Sequence, residues 1–393
     1  MNRRNILIEF IHTADWHLGN SFSHFSPEMR KKLNDARFLT VESIFIYAKN
    51  KNIPLILCAG DNIDNGQLAD PSHLDRLIRM VAKYPNIKLI LIAGNHDPLM
   101  ANSVYYRYDK NLFPDNFHLV TDNEVISLPD SGLVIFAGSI KEKNGDYNPL
   151  NWIDPADFDD NRIHIGLVHG SIRNERFAND AFPIEPDFAI QKKLNYLALG
   201  DWHSFNKINE RTYYPGVPEP LQFGDQGYPL RVTVAKPGAA PTVEKITGVQ
   251  QYFWLEIEKT ISDDNFPTFQ TEFSSIGLKE IRKIKLSGFL APGNYKIYKD
   301  LLRLHRSQYY SIIDQVGIHP DDEELLKMAD GSMRDLVNQL LVLKKSNEEI
   351  PEDIFNRIVP FNQENVEKAA ESITREEILD RALLKMYQMF GSQ

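Results

Sequence analysis

Ile53-Pro-Leu-Ile-Leu-Cys-Ala-Gly-Asp-Asn-Ile-Asp64 is an apolar run that stops at Gly60-Asp61. A short apolar stretch that ends at a glycine reads as a buried strand. Asp61 then stands at the carboxyl end of that strand, where open α/β sheets place their ligands. Four more apolar runs end in the same way. Ile6 to His12 leads into Thr13-Ala-Asp15-Trp-His17, and Lys88 to Ala93 into Gly94-Asn95-His96-Asp97. Arg162 to Val168 leads into His169-Gly170, and Asn195 to Leu199 into Gly200-Asp201-Trp-His203.

The segments between these runs alternate in character. From about Lys31 to Asn50, Leu33, Ala36, Phe38, Val41, Ile44, Phe45 and Ala48 recur at helical spacing, and from Pro71 to Tyr84 so do Leu74, Leu77, Ile78 and Val81. A strand–helix–strand–helix–strand series implies crossover units around a largely parallel sheet, an α/β fold. Phe117–Val120, Glu124–Leu128 and Leu133–Ala137 are expected as short strands. Six glycines or prolines between Tyr213 and Gly227 predict a turn-rich loop. After a strand near Arg231 to Ala235, Lys236-Pro-Gly-Ala-Ala-Pro241 is the best candidate linker. Three regions follow: 1–235 with the strand-end motifs, 242–298 as a small β-rich domain, and 300–393 as a helical region. Ser332-Met-Arg-Asp335 and Thr374-Arg-Glu-Glu377 are candidate capping boxes in the last of these.

At 393 residues the chain exceeds what one core usually holds. With 42% hydrophobic and 25% charged residues it has a globular composition. No apolar run approaches the roughly 20 residues needed to span a bilayer. Glu9 and His12 interrupt the only N-terminal apolar stretch, which argues against a signal peptide. The single cysteine, Cys58, rules out an internal disulfide framework and fits a reducing, cytoplasmic compartment. The net charge of −10 is unusual for a free-standing nucleic-acid binder. Between Lys279 and Arg306, however, eight basic residues (Lys279, Arg282, Lys283, Lys285, Lys296, Lys299, Arg303 and Arg306) face only Glu280 and Asp300. That run is either a solvated surface or a local patch for a polyanion.

Carboxylate, imidazole and amide oxygen are the donors of sites for Mn²⁺, Fe²⁺ or Zn²⁺. One ion cannot use all the strand-end groups. Two ions roughly 3.5–4 Å apart can, if one carboxylate bridges them, and such pairs suit in-line displacement at phosphorus.

Asp15-Trp-His17, Gly60-Asp61-Asn-Ile-Asp64, Gly94-Asn95-His96-Asp97, His169-Gly170 and Asp201-Trp-His203 together resemble the motif series of the calcineurin-like metallophosphoesterases. Their order and spacing are most similar to the SbcD-type DNA repair exonucleases, over about residues 6–235. The resemblance implies a sandwich of two mixed sheets flanked by helices, with a β-rich capping domain and a helical C-terminal region. It implies two divalent ions, Mn²⁺ first and Fe²⁺, Zn²⁺ or Mg²⁺ as alternatives. Asp15, His17, Asp61 and His203 would hold one; Asp61, Asn95, His169 and Asp201 would hold the other. His96 would stand by the scissile phosphate and protonate the leaving oxygen, with Asp97 orienting it. The implied activity is DNA cleavage, as exonuclease and endonuclease, in repair or defence. The implied partners are DNA, an SbcC-like coiled-coil ATPase docked through the C-terminal region, and a second copy of the chain. One departure stands out: the nuclease branch usually has Gly-His-x-His where this chain has Gly200-Asp201-Trp-His203. Two other classes use the same residues, a phosphoesterase of small substrates and a scaffold with a structural or weakened metal site. The phosphoprotein phosphatases carry an arginine where Asn65-Gly66 stands here. Asp64 is read only as a brace for the loop after Asp61. Trp16 and Trp202 are read as site-wall packing, with base stacking as the sharper alternative.

Overall fold

In the computed structural model, strands β1 (Ile8–Thr13), β2 (Leu55–Ala59) and β3 (Lys88–Ile92) pair in parallel, as the crossover pattern requires. The structure describes residues 7–158, 161–173, 181–274, 279–305, 309–318, 322–346, 348–362 and 374–391. Helix α1 (Pro27–Lys51) makes the first crossover. Ser26 caps its start by accepting from the Met29 amide at 3.3 Å, and Asn52 ends it in the left-handed conformation. Helix α2 (Pro71–Ala82) makes the second, capped by the Asp70 carboxylate. A short helix α3 (Val104–Arg107) precedes β4 (Phe117–Leu119), which adds to β3 in parallel.

The second sheet begins with the hairpin β5 (Glu124–Leu128) and β6 (Leu133–Gly138). It continues through β7 (Ile163–His169) and, after the short helix α4 (Phe188–Gln191), β8 (Tyr196–Gly200). The edge strands are β9 (Asn206–Lys207) and β10 (Thr212–Tyr214), giving the order β5-β6-β7-β8-β10-β9. Strand β11 (Leu230–Val234) returns to the first sheet antiparallel to β1, and β12 (Thr242–Lys245) pairs with β11. Residues 236–241 are therefore a hairpin turn, not the linker that their proline and glycine content suggested. Leu230 and Val232 on β11 are buried, and that apolar alternation draws the chain back to the sheet.

Facing sides of the two sheets share one apolar layer that includes Phe10, Leu57, Ile90, Ile135, Leu167 and Ala198. Helices α1 and α2 cover the outer side of the first sheet through Phe38, Val41, Ile44, Leu74 and Leu77. This is the expected α/β sandwich. All five strand-end motifs leave their sheets at carboxyl ends.

The chain divides into two compact units, Met1–Glu256 with Leu278–Arg282, and Ile257–Gly277 with Lys283–Gln393. The second contains most of a three-stranded sheet of β13 (Phe253–Ile261), β14 (Glu280–Leu290) and β15 (Tyr309–Ile318). Helices α5 (Phe266–Ser274) and α6 (Pro292–Leu304) pack against it through Phe266, Phe269 and Tyr298. Helices α7 (Asp322–Met328), α8 (Gly331–Lys345), α9 (Glu352–Asn362) and α10 (Arg375–Gly391) share a separate core around Leu340, Ile358, Leu379 and Met386. Helix α8 is preceded by Asp330, so Ser332 lies inside the helix rather than capping it. Helix α10 begins directly after Thr374. In the basic stretch, Lys285, Lys299 and Arg303 pair with Glu258, Asp314 and Asp300. Arg282 pairs with Glu280, and Arg306 lies outside the described residues. Much of that positive charge is thus matched at short range. Among the described residues no helix is long and apolar enough to cross a membrane.

Candidate metal centre

The loops after β1 and β2 are zipped together by backbone. Asp15 N donates to Gly60 O at 3.0 Å, His17 N to Asp61 O at 2.8 Å and Leu18 N to Asn62 O at 2.9 Å. The amide of Asp64 returns a bond to Leu18 O at 2.9 Å. This brings Asp15 and Asp61, far apart in sequence, into one floor. Asp15, His17, Asp61 and Asp201 all have positive φ, at 55°, 42°, 53° and 110°. Such backbone costs roughly 1–2 kcal/mol per residue and clusters at functional sites. Here the inter-loop hydrogen bonds hold it.

Asp61 is central. Its Oδ2 lies 3.6 Å from His17 Nε2, and its Oδ1 lies 3.6 Å from His169 Nε2 and accepts the His96 amide at 2.9 Å. His169 donates Nδ1–H to Ala59 O at 2.8 Å, which aims Nε2 inward. Asp201 Oδ1 lies 3.7 Å from that Nε2, while the Asp201 amide donates to Asp15 Oδ1 at 3.1 Å. Ligand-type atoms of Asp15, His17 and His203 lie within 4.8 Å of one another, as do those of Asp15, Asp61 and His169. His17 and His203 stack edge to face with ring centroids 5.2 Å apart. Asp15, His17, Asp61 and His169 are buried; Asn95, Asp201 and His203 are partly so.

Three buried atoms of the predicted ligands have no hydrogen-bond partner: His17 Nε2 and His169 Nε2, which face Asp61, and Asn95 Oδ1 on the loop after β3. Buried polar atoms are normally satisfied, and orphans of ligand type that face one carboxylate fit a cation held between them. The donor set, imidazole and carboxylate with one amide oxygen, fits divalent ions of the Mn²⁺, Fe²⁺ and Zn²⁺ kind.

The electrostatics agree. Burial pushes the Asp15 carboxyl well above the usual carboxylate range, and neighbouring Asp61 and Asp201 add to this while His169 opposes it. Burial also acts to raise Asp61, but His169, His17 and His96 outweigh it and hold that carboxyl low. Burial alone would lower His169; Asp61, Asp15 and Asp201 overcome it and lift the imidazolium to about 9. His203 falls to about 3, chiefly through burial and then through His17. In the metal-free chain the sign for stability is clear. An unfolded histidine titrates near 6.5, so the stabilisation from charged His169 is complete below about 6.5 and is lost as pH rises through about 9. A cation ligated by His169 must displace that proton. Calorimetric titration at pH 7.5 in buffers of different ionisation enthalpy should therefore show proton release from His169 on Mn²⁺ binding, and none from His203. Apparent affinity that does not rise between pH 6.5 and 9 would remove His169 from the ligand set.

His96 lies half exposed at the rim. Its Nδ1 and His17 Nδ1 each sit 3.2 Å from Asp64 Oδ1. The hydrogen bond that His96 donates to Asp64 raises His96, with burial opposing. Asp64, expected only to brace a loop, thus joins the two histidines; its place three residues after Asp61 was the available signal. Asp97, expected to orient His96, is held by other donors. It is fully buried and accepts from Gly94 N at 2.7 Å, Asn62 N at 2.9 Å, Ile63 N at 3.1 Å and Tyr105 OH at 2.6 Å. Trp16 is buried and donates Nε1–H to Thr13 Oγ1 at 2.9 Å, a packing role, whereas Trp202 is 56% exposed. Buried Arg37 on α1 went unnoticed in sequence. It donates to the carbonyls of Trp16 at 2.7 Å and Glu219 at 2.9 Å, clamping the first motif from behind.

Gly94 leaves room for Asp61. A Cβ there would lie 2.2 Å from Asp61 Oδ1 and 2.6 Å from its backbone nitrogen. Overpacking of this kind costs about 1–3 kcal/mol. Gly94→Ala should lower thermal stability and also displace the central carboxylate. Metal content measured after dialysis against Mn²⁺ should fall; full retention would contradict the placement of Asp61.

The sequence profile of the calcineurin-like phosphoesterase family matches residues 8–205. The chain belongs to this family. Membership supports phosphoester hydrolysis at a metal-binding site. Among curated proteins, an uncharacterized metallophosphoesterase of Bacillus subtilis, YhaO, is 24% identical over 241 residues, 57% of this chain and 57% of that protein. The chain therefore aligns with little more than half of YhaO. The SbcD component of the SbcCD nuclease from the same organism is 24% identical over 287 residues, 61% of this chain and 69% of that protein. Among solved structures, TT1561 of Thermus thermophilus aligns with 61% of this chain and 99% of its own at 9% identity, with a TM-score of 0.38.

Proposed function

We propose that this chain is a two-metal phosphodiesterase that cuts DNA, as exonuclease and endonuclease, within an SbcCD-like assembly. The observation that carries the phosphodiesterase reading is the convergence of two orphaned buried atoms, His17 Nε2 and His169 Nε2, on the two carboxylate oxygens of Asp61. Asp15, His17, Asp61 and His203 would hold one ion. Asp61, Asn95, His169 and Asp201 would hold the other. When bound, such a pair neutralises phosphate oxygens and makes water acidic enough to attack near neutral pH.

The chain's own residues do the rest. Asp61 fixes the spacing of the two positions. The Ala59 carbonyl holds His169 in the tautomer whose Nε2 is free to ligate. His96 keeps a proton through Asp64 and stands half exposed, so it can meet a phosphate oxygen and donate to the leaving oxygen. Asp97 fixes the turn that presents Asn95 and His96.

Similarity to the SbcD component of the SbcCD nuclease supports DNA as substrate. With a net charge of −10, an ATPase partner of the SbcC kind would supply much of the DNA grip. We place its docking on the helical C-terminal region, where Val342 of α8 and Phe355 of α9 are exposed. Dimerisation through the catalytic domain, a cytoplasmic location and a role in repair or defence belong to the same proposal. Purified chain loaded with Mn²⁺ should degrade linear and single-stranded DNA. Hydrolysis of a chromogenic diester with no action on polynucleotides, even with the ATPase added, would establish a small-molecule phosphodiesterase instead.

A further inference from the structure

We propose that Asp201, held by Ser171, makes the two cation positions chemically unequal. The position built on His169 would then discriminate less strongly for Zn²⁺ over Mn²⁺ than the position built on His17. This rests on the two-metal reading above and concerns which ion sits where.

The donors differ in kind. Around His17 the gathered groups are Asp15, Asp61 and two imidazoles, His17 and His203. Around His169 they are the carboxylates of Asp61, Asp201 and Asp15 and a single imidazole. Imidazole favours Zn²⁺, whereas carboxylate and carbonyl oxygens suit Mn²⁺ and Mg²⁺. Zn²⁺ binds more tightly than Mn²⁺ at either kind of site, so the difference lies in the margin. One imidazole against two makes that margin narrower at the His169 position.

Ser171 gives Asp201 its orientation. The Ser171 hydroxyl donates to Asp201 Oδ2 at 2.5 Å, and Oδ1 is the oxygen that lies 3.7 Å from the buried, unpartnered His169 Nε2. The Asp201 backbone is pinned as well. Its φ is 110°, and its amide donates to Asp15 Oδ1 at 3.1 Å. A carboxylate can rotate to offer either oxygen or both; with Oδ2 engaged by the hydroxyl, Oδ1 is the oxygen that would ligate beside His169. Ser171 is thus a positioning residue two places after His169, on the same strand-end loop.

The test is equilibrium dialysis of the full chain against Mn²⁺ and Zn²⁺ mixtures, with elemental analysis of bound ions and electron paramagnetic resonance of bound Mn²⁺. The wild type should take up two ions and retain Mn²⁺ at one position while Zn²⁺ fills the other. Asp201→His should raise the Zn²⁺ margin at the retained position by about tenfold or more. Circular dichroism of each variant controls for folding. Ser171→Ala should weaken the same Mn²⁺ ion by about tenfold, and Ser171→Thr should restore it. Two bound ions with an unchanged margin in Asp201→His would overturn this inference and leave the two-metal reading standing. Unaltered Mn²⁺ binding in Ser171→Ala would overturn the role of the hydroxyl. Fewer than two ions in the wild type would overturn both.

Discussion

Asp61→Ala should reduce Mn²⁺-dependent phosphodiester hydrolysis by at least about a thousandfold, since metal-based charge stabilisation is worth several kcal/mol and about 1.4 kcal/mol is tenfold in rate. The reason is geometric. One carboxylate would serve both proposed cation positions, with Oδ2 toward His17 and Oδ1 toward His169. Removing any other proposed ligand leaves one position whole, but removing this one damages both. It also frees the His96 amide and so unsettles the histidine that would protonate the leaving group. The fold should survive, because the backbone bonds that join the two loops involve Asp61 O and not its side chain. Steady-state kinetics with circular dichroism as a folding control would check this. A variant within tenfold of wild type would be incompatible with a shared carboxylate.

Asp97→Ala should be the more damaging change to stability, by about 3–5 kcal/mol, because buried donors stripped of a charged acceptor cost roughly 1–3 kcal/mol each. Asp97 Oδ2 accepts from the amides of Asn62 and Ile63 and from the Tyr105 hydroxyl, and Oδ1 accepts from the Gly94 amide. Those donors come from the loop after β2, the loop after β3 and helix α3. The carboxylate therefore ties the Asp61 loop to the Gly94–Asp97 turn. Asp97→Asn keeps the shape and one acceptor oxygen, so it should cost less. Urea denaturation of the three proteins would rank them. A loss below about 1 kcal/mol for the alanine variant would mean that the donors find water or other partners, contrary to their burial.

The strand-end motifs were legible because the strands are buried along most or all of their length and read as mainly apolar runs, so each polar terminus is conspicuous. Leu55–Ala59 and Ile163–His169 are buried along their whole length. The helices were legible for the complementary reason: Val41, Ile44 and Ala48 repeat at helical spacing over one covered face of the first sheet. The 236–241 turn was misread because proline and glycine mark a tight hairpin and a linker alike; only the pairing of Thr242–Lys245 with β11 separates them. Asp64 and Asp97 traded roles for a similar reason. Adjacent or nearby carboxylates carry no sign in sequence of which way a turn directs them. Arg37 and Ser171 were invisible, since an arginine on a helix and a serine in a loop are ordinary until the fold sets them against Trp16 O and Asp201.

The central claim is that Asp61 is shared between two cations. Anomalous diffraction from crystals of the full chain grown with Mn²⁺ tests it most directly. Two peaks should appear about 3.5–4 Å apart, one on each side of the Asp61 carboxylate, with His17 and His169 on opposite flanks. A single peak, or a pair that does not include Asp61 between its members, would contradict the account.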